Sequence, residues 1–405
     1  MMRTVLTGWL AIAVALAAGA AFGDGISYPD DIAIHGFVSQ GYMQSTDNNF
    51  FAETETGTFE LNEMGINFIT QMPEYHLRVG IQLFARDLGQ IGNDEVFLDW
   101  AVAEYRWRDW LGFAAGKMKV PHGLYNETRD VDMLRTNIFL PQSVYNESWR
   151  DVIAANKGVG VFGNLPLMKL GRLAYRAQIG TVEIDSQSGP ALHFNDQVPR
   201  DIPIAVQEVE VERGDIASLQ WLSPGESLRL GCSYWALAFI ARMDTTALPL
   251  QTDFSLDAKS FTLSAEYTWK NLILAAEYSR IDWEIQPTNS QVLNVTPDFV
   301  PEFYTQGYYG SAVYRLTSFF ETGVYYAEYY PDDFDRDGNN QEFFHRAWLK
   351  DACLSTRFDL NDNWIAKLEG HFMNGTAILL NADNPDGYGT NPHWFLFAAK
   401  ITFSF

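Results

Sequence analysis

The sequence predicts an all-β fold, a 16-stranded antiparallel transmembrane β-barrel with short periplasmic turns and long extracellular loops. Three observations carry this. Apolar residues recur with period two in segment after segment. The connections between those segments alternate between short and long. Beyond the N-terminal run, no apolar stretch approaches the roughly 20 residues a membrane helix needs.

The elements follow in chain order. Arg3 and the apolar run Val5 to Ala21, ending in Ala21-Phe22-Gly23, have the pattern of an export signal cleaved after Gly23. Residues 1–23 are therefore assigned as a signal peptide and 24–405 as the barrel domain. Met64, Ile66 and Phe68 share a face opposite Glu63, Gly65 and Asn67. Leu77, Val79, Ile81, Leu83 and Ala85 oppose His76, Arg78, Gln82 and Arg86. The same alternation returns at Leu228 to Ala236, at Phe261 to Trp269, at Trp364 to Phe372 and at Phe397 to Phe405. Strands apolar on one face and polar or small on the other suit lipid outside and water inside.

Polar turns fall near Pro73-Glu74, Arg108–Trp110, Pro166–Lys169, Ser223–Glu226, Lys270-Asn271, Thr317-Ser318 and Asn361–Asn363. Longer stretches lie near 45–57, 87–94, 121–154, 184–206, 241–256, 284–305, 331–345 and 377–392. Seven turns and eight loops join sixteen strands and return the chain to its starting rim, as in bacterial outer-membrane barrels. A barrel of that size leaves an aqueous channel. Tyrosines crowd strand ends at Tyr304, Tyr308, Tyr309, Tyr325, Tyr326, Tyr329 and Tyr330, as interfacial girdles require.

The 28 Lys and Arg against 51 Asp and Glu give a net charge of −23, which excludes a general nucleic-acid binder. Alternation sends Arg78, Lys117, Lys119, Arg172, Arg176, Arg229, Arg315, Arg357, Lys367 and Lys400 into the lumen, with Glu63, Glu266, Glu277, Glu321, Asp351 and Glu369. The acidic excess falls in loops, at Glu208, Glu210 and Glu212, at Asp282 and Glu284, and at Asp332, Asp333, Asp335 and Asp337. Asp333-x-Asp335-x-Asp337-Gly338 matches the start of a calcium loop, but Phe344 stands where a bidentate Glu is required. No cofactor is expected beyond a calcium ion at that loop. His35, His76 and His371 have no partner at ligand spacing, and Cys232 and Cys353 fall on opposite faces, so no bridge is expected.

Gly116-Lys117-Met118-Lys119-Val120-Pro121-His122-Gly123-Leu124-Tyr125-Asn126-Glu127-Thr128-Arg129-Asp130-Val131-Asp132, followed by Leu140-Pro141-Gln142-Ser143-Val144-Tyr145, resembles the loop region of the phosphate-selective porin O and P family. Asn363 to Gly375 resembles that family's penultimate strand. The resemblance implies a homotrimeric porin of the Gram-negative outer membrane that passes small ions and solutes. It also implies that loop 121–154 folds inward as a constriction. Lys117, Lys119, Arg129, Asp130, Asp132 and Arg135 would then set selectivity, with Arg78, Glu63, Lys367 and Glu369 as further lumen charges. Phe405 would be the signal read by the barrel-assembly machinery, and the acidic loops would bridge to lipopolysaccharide through weakly bound divalent cations. Because the basic set is short and the mouths acidic, passive diffusion is the first expectation and a phosphate or oxyanion channel the second. A barrel enzyme or an adhesive barrel is the remaining alternative.

Overall fold

The computed structural model describes residues 32–92, 94–184, 188–197, 204–245, 251–290, 302–384 and 391–405. The expected signal, residues 1–23, lies outside them. Sixteen strands run in chain order. They are β1 Ala33–Ser45, β2 Asn62–Met72, β3 Leu77–Asp87, β4 Phe97–Arg108, β5 Leu111–Lys119, β6 Ala155–Pro166, β7 Arg172–Thr181, β8 Ile204–Leu222, β9 Leu228–Thr245, β10 Gln251–Trp269, β11 Leu272–Ser290, β12 Glu302–Arg315, β13 Phe320–Tyr330, β14 Leu349–Asp359, β15 Trp364–Gly375 and β16 His393–Ser404. A short stretch, Glu183–Ile184, continues β7 against the same neighbour. Each strand pairs antiparallel with the next, and β1 pairs with β16 from Phe37 opposite Ser404 to Ser45 opposite Leu396, so the sheet closes. The Gly36 and Phe405 amides and carbonyls exchange two bonds at the seam, at 3.1 and 3.0 Å. Closure leaves no strand edge facing lipid.

All seven tight turns fall where the polar dipeptides place them, and the long connections gather at the other rim. Leu354, Leu368, Phe372, Phe397 and Ile401 point outward, while Asp351, Lys367, Glu369 and Lys400 are buried inside. The expected polarity, apolar out and polar in, is therefore realised across the closing strands.

Two expectations change. β8 to β11 extend to 18 or 19 residues and absorb much of what the sequence assigns to loops 184–206, 241–256 and 284–305. At about 3.3 Å per residue, each reaches about 60 Å, well past the ~25 Å apolar band. On β9 the polarity inverts with height. Arg229, Gly231 and Ser233 point inward below, where Leu228, Leu230 and Tyr234 face lipid. Above them Trp235, Leu237, Phe239 and Ala241 on that inward face are buried in an apolar cluster, and Arg242 on the outer face pairs with Glu208 and Glu210. Period two persists through charged residues, so this segment looks like loop to a reading that expects outward apolar groups. The second change concerns tyrosines. Tyr309 and Tyr325 are buried inside the barrel, while Tyr308, Tyr326 and Tyr330 surround Glu328. Neighbours in a strand alternate faces, so one tyrosine-rich run supplies both the exterior and the interior.

Candidate pore and its constriction loop

The segment joining β5 to β6 does fold inward. It crosses the lumen and is fastened to the wall along its length. Leu124 N donates to Glu277 on β11 at 2.9 Å, and Glu277 also accepts from Tyr309 at 2.7 Å, from Ser264 at 2.5 Å and from the loop's Tyr145. Tyr125 donates to Glu266 on β10 at 2.8 Å. Arg357 on β14 donates to Met133 O at 2.5 Å, and Glu369 on β15 accepts from the amides of Ile138 and Phe139. Two glycines permit this path. Gly123 has φ +60, and a Cβ there would lie 2.4 Å from Tyr145 Oη; a Cβ on Gly307 would lie 1.8 Å from Ser143 O. Residues 46–61 and 376–384 cover the segment from outside, with Phe50 5.6 Å from Phe139 and 6.0 Å from Trp394.

Two neighbouring ion-pair networks run under the loop. Asp132 meets Arg135 at 3.0 Å, Lys367 at 3.3 Å and Lys400 at 2.8 Å. Lys400 bridges on to Glu63 at 2.6 Å, and Glu63 to Arg150 at 3.0 Å. Arg150, in the short helix α1 Arg150–Ile153, meets Asp130 at 2.7 Å, and Asp130 also holds Lys119. Glu147 joins Arg129 at 2.7 Å and Arg86 at 3.1 Å. A bulge between Gln82 and Leu83 leaves Asp99 unpaired in the ladder and turns it inward, 4.0 Å from Lys119. With Asp151, 3.4 Å from Arg86, seven cations face six carboxylates. Together the two are close to neutral and mutually paired, so they project little field into the lumen.

The loop's own groups show the same balance. Burial opposes ionisation of Asp130, but Lys119 and Arg150 more than offset it and hold the carboxyl below its ordinary range. Asp132 is likewise held low, against burial, by Lys367, Lys400 and Arg135. Glu147 is lowered to about 2, with burial overcome by Arg129, Arg150 and Arg86. Burial pushes His122 down to about 4, so it is neutral, and its Nε2 donates to Val144 O at 3.2 Å.

The structure thus gathers Lys119, Arg129, Asp130, Asp132, Arg135, Glu63 and Lys367 into one cluster and places Glu369 against the loop's backbone. Lys117 is not among them. It stands directly opposite Ala101 and Lys157, on the face that carries the exposed Phe113 and Val159, while Met118 turns inward against Ala114 and Phe162. Both faces of β5 are small or apolar here, so alternation alone gives no polarity, and the lumen assignment of Lys117 is corrected. Lys119 reaches inward because it ends the strand and its long stem carries the ammonium to Asp130.

The arginines that stay hydrated lie elsewhere, near the short-turn rim. Arg78 on β3, Arg172 and Arg176 on β7 keep 40, 41 and 31% of their side chains exposed, against 4% for Arg86, Arg129 and Arg150. Arg78 pairs with Glu104 at 2.7 Å, and Arg176 reaches loop Glu127 at 3.3 Å. Exposed Arg106 and Arg176 flank the Phe162 ring at 5.5 and 5.8 Å. Sequence reasoning missed Arg106, Glu104, Arg150 and Glu147. The placement of Arg106 one strand position from the turn was the available signal. Arg150 and Glu147 had none, since only the inward fold brings them to Glu63 and Arg86.

At the acidic loop, Asp333 pairs with Arg336, and both Asp335 oxygens accept from Asn340 N at 3.3 and 3.1 Å. Asp332 caps the short turn through Phe334 N at 2.9 Å. These carboxylates serve the turn itself.

No family model matches the sequence, and no curated protein does. Solved structures share the architecture at low identity. The outer-membrane OmpT of Vibrio cholerae is 10% identical with a TM-score of 0.55, covering 94% of this chain and 100% of that one. OmpF of Salmonella typhi, in complex with daunomycin, is 14% identical with a TM-score of 0.56, over 92% and 97%. An anion-selective porin from Comamonas acidovorans is 12% identical with a TM-score of 0.52, over 93% and 99%. This chain has the closed barrel fold of outer-membrane proteins.

Proposed function

We propose that this chain is an outer-membrane porin, a water-filled channel for passive diffusion of small hydrophilic solutes and ions, and not an enzyme. The observation that supports it best is a closed barrel whose inward loop is neutralised by its own ion pairs while guanidiniums on the β3–β7 wall stay hydrated. Ions would pass between the loop and that wall, lined by Arg78, Arg106, Arg176, Glu104 and Glu127. The excess of arginine there favours anions in a confined, poorly screened space, whereas the acidic extracellular rim lies in open electrolyte and is screened within roughly 8 Å. Selectivity is set on the wall rather than at Lys117. The test is a reversal potential across a planar bilayer. Changing Arg78, Arg106 and Arg176 together to Glu shifts it toward cations, and Lys117→Glu leaves it unchanged. A wall variant with an unaltered reversal potential would overturn this path.

A phosphate or oxyanion channel is the second reading, and the exposed arginine set on β3, β4 and β7 favours it. Phosphate that blocks chloride current at low concentration supports that finer function, and current indifferent to phosphate removes it. In the membrane we place the chain as a homotrimer in a Gram-negative outer membrane after export, with Phe405 read by the assembly machinery. Lys117 and Lys157, opposite each other on the outer face by the loop rim, suit the phosphates of lipopolysaccharide. Calcium at Asp333, Asp335 and Asp337 would have to displace Arg336, so its binding is proposed as weak; calorimetry on Asp335→Asn checks it.

A further inference from the structure

Pairing of β14 with β15 places Cys353 directly opposite His371, with Asp351 and Glu369 two residues away on the same inward face. All four are buried inside the barrel. The Cys353 thiol, a Glu369 oxygen and an imidazole nitrogen of His371 lie within 4.8 Å of one another. The sequence hides this group, because eighteen residues separate Cys353 from His371 and only the register joins them.

The bonding of His371 points to a cation. Its Nδ1 lies 3.1 Å from both oxygens of Asp351, and Asp351 is itself held by Tyr325 at 2.7 Å. That arrangement fixes the proton on Nδ1 and turns Nε2 toward Cys353 and Glu369. Nε2 lies 2.8 Å from Glu369 Oε1 yet makes no hydrogen bond, because the geometry is wrong for one. At that distance the carboxylate needs a positive charge facing it, from an imidazolium proton or from a bound cation, and the unpartnered Nε2 beside a thiol favours the cation. A carboxylate on the far nitrogen of a histidine is the usual outer support of a zinc ligand.

We propose that Cys353, Glu369 and His371 form a binding site for one zinc-class divalent cation on the lumen wall. Sulfur, nitrogen and oxygen donors together suit zinc rather than calcium or magnesium. Tetrahedral coordination spaces such donors by about 3.3–3.6 Å, so Nε2 and Oε1, 2.8 Å apart, need only part slightly, with the thiol already within 4.8 Å of both. Cys353 releases its thiol proton to solvent on binding. The ion acts on the pore through Glu369, whose carboxylate also accepts the amides of Ile138 and Phe139. It thereby pins the constriction loop to β14 and β15.

Cobalt(II), added to the purified full-length barrel in detergent, is the probe, since a thiolate ligand gives it a near-ultraviolet charge-transfer band. One equivalent per chain should produce the band, and zinc should remove it. Cys353→Ser should abolish it and Cys232→Ser should keep it, each variant checked for a folded, heat-modifiable barrel. Asp351→Asn, which touches no metal, should weaken binding about 10- to 100-fold. No band from the unaltered protein, or a band that survives Cys353→Ser or disappears with Cys232→Ser, overturns the site.

Discussion

The lumen has two walls built from the same residue types that do opposite things. Beneath the loop, Arg86, Arg129 and Arg150 are nearly inaccessible, and each faces at least one carboxylate within 3.1 Å. Near the short-turn rim, Arg78, Arg172 and Arg176 are 31 to 41% exposed. The buried set cannot regain hydration, so its charge is committed to holding the loop. The exposed set loses little by having a carboxylate nearby, since hydrated pairs contribute about 0–1 kcal/mol, and its field remains available to ions. An arginine inside a barrel therefore either fastens the fold or keeps its charge facing the lumen, according to its hydration and not its sequence context.

The largest effect should come from Asp132→Asn. It strips Lys367, Lys400 and Arg135 of a shared counter-charge, at a cost of about 3–5 kcal/mol. The temperature at which the folded form disappears on gels should fall, and single-channel conductance should rise as the loop loosens. An unchanged melting temperature would mean the network does not hold the loop. Next in size, Gly307→Ala should displace the loop at Ser143 and raise conductance without touching a charge, which separates loop position from loop charge.

Acid should withdraw the stabilisation held in the carboxylates of the fastened wall. Asp130, Asp132 and Glu147 have lowered folded values, so their stabilisation is complete above the ordinary carboxylate value of about 4 and is lost as pH falls through the folded values, about 2 for Glu147. Thermal stability should therefore hold from pH 7 to about 4.5 and drop steeply toward pH 2. A loss centred at pH 6 would contradict these ion pairs. The smallest effects should come from the protruding strands, where Arg242→Ala and Lys259→Ala break exposed pairs. Each should change stability by less than about 1 kcal/mol, read as a shift in urea midpoint.

How much of this was legible in the sequence differs by level. The strand number, the seven turns and the polarity of segments such as Phe397 to Phe405 follow from period two, because a lipid exterior and a wet interior impose that period on every strand. The inward loop was legible only through its likeness to a known loop. The sequence singled out its charged members Arg129, Asp130, Asp132 and Arg135, together with Lys117 and Lys119 on the preceding strand. Their partners Glu147 and Arg150 were not singled out, since they lie far along the same loop with no periodic signal.

What the sequence alone determined is the barrel. Alternation is local, and each strand declares its two faces independently of the others, provided one face is clearly apolar. Lys117 marks the limit, because β5 is small on both faces and its polarity had to come from pairing with Ala101 and Lys157. The rest was decided in three dimensions. Which arginines are hydrated, which carboxylates meet them, and that Cys353 faces His371 all depend on register and on the path of one loop. These are contacts between residues 18 to more than 200 positions apart, and nothing local in the chain specifies them.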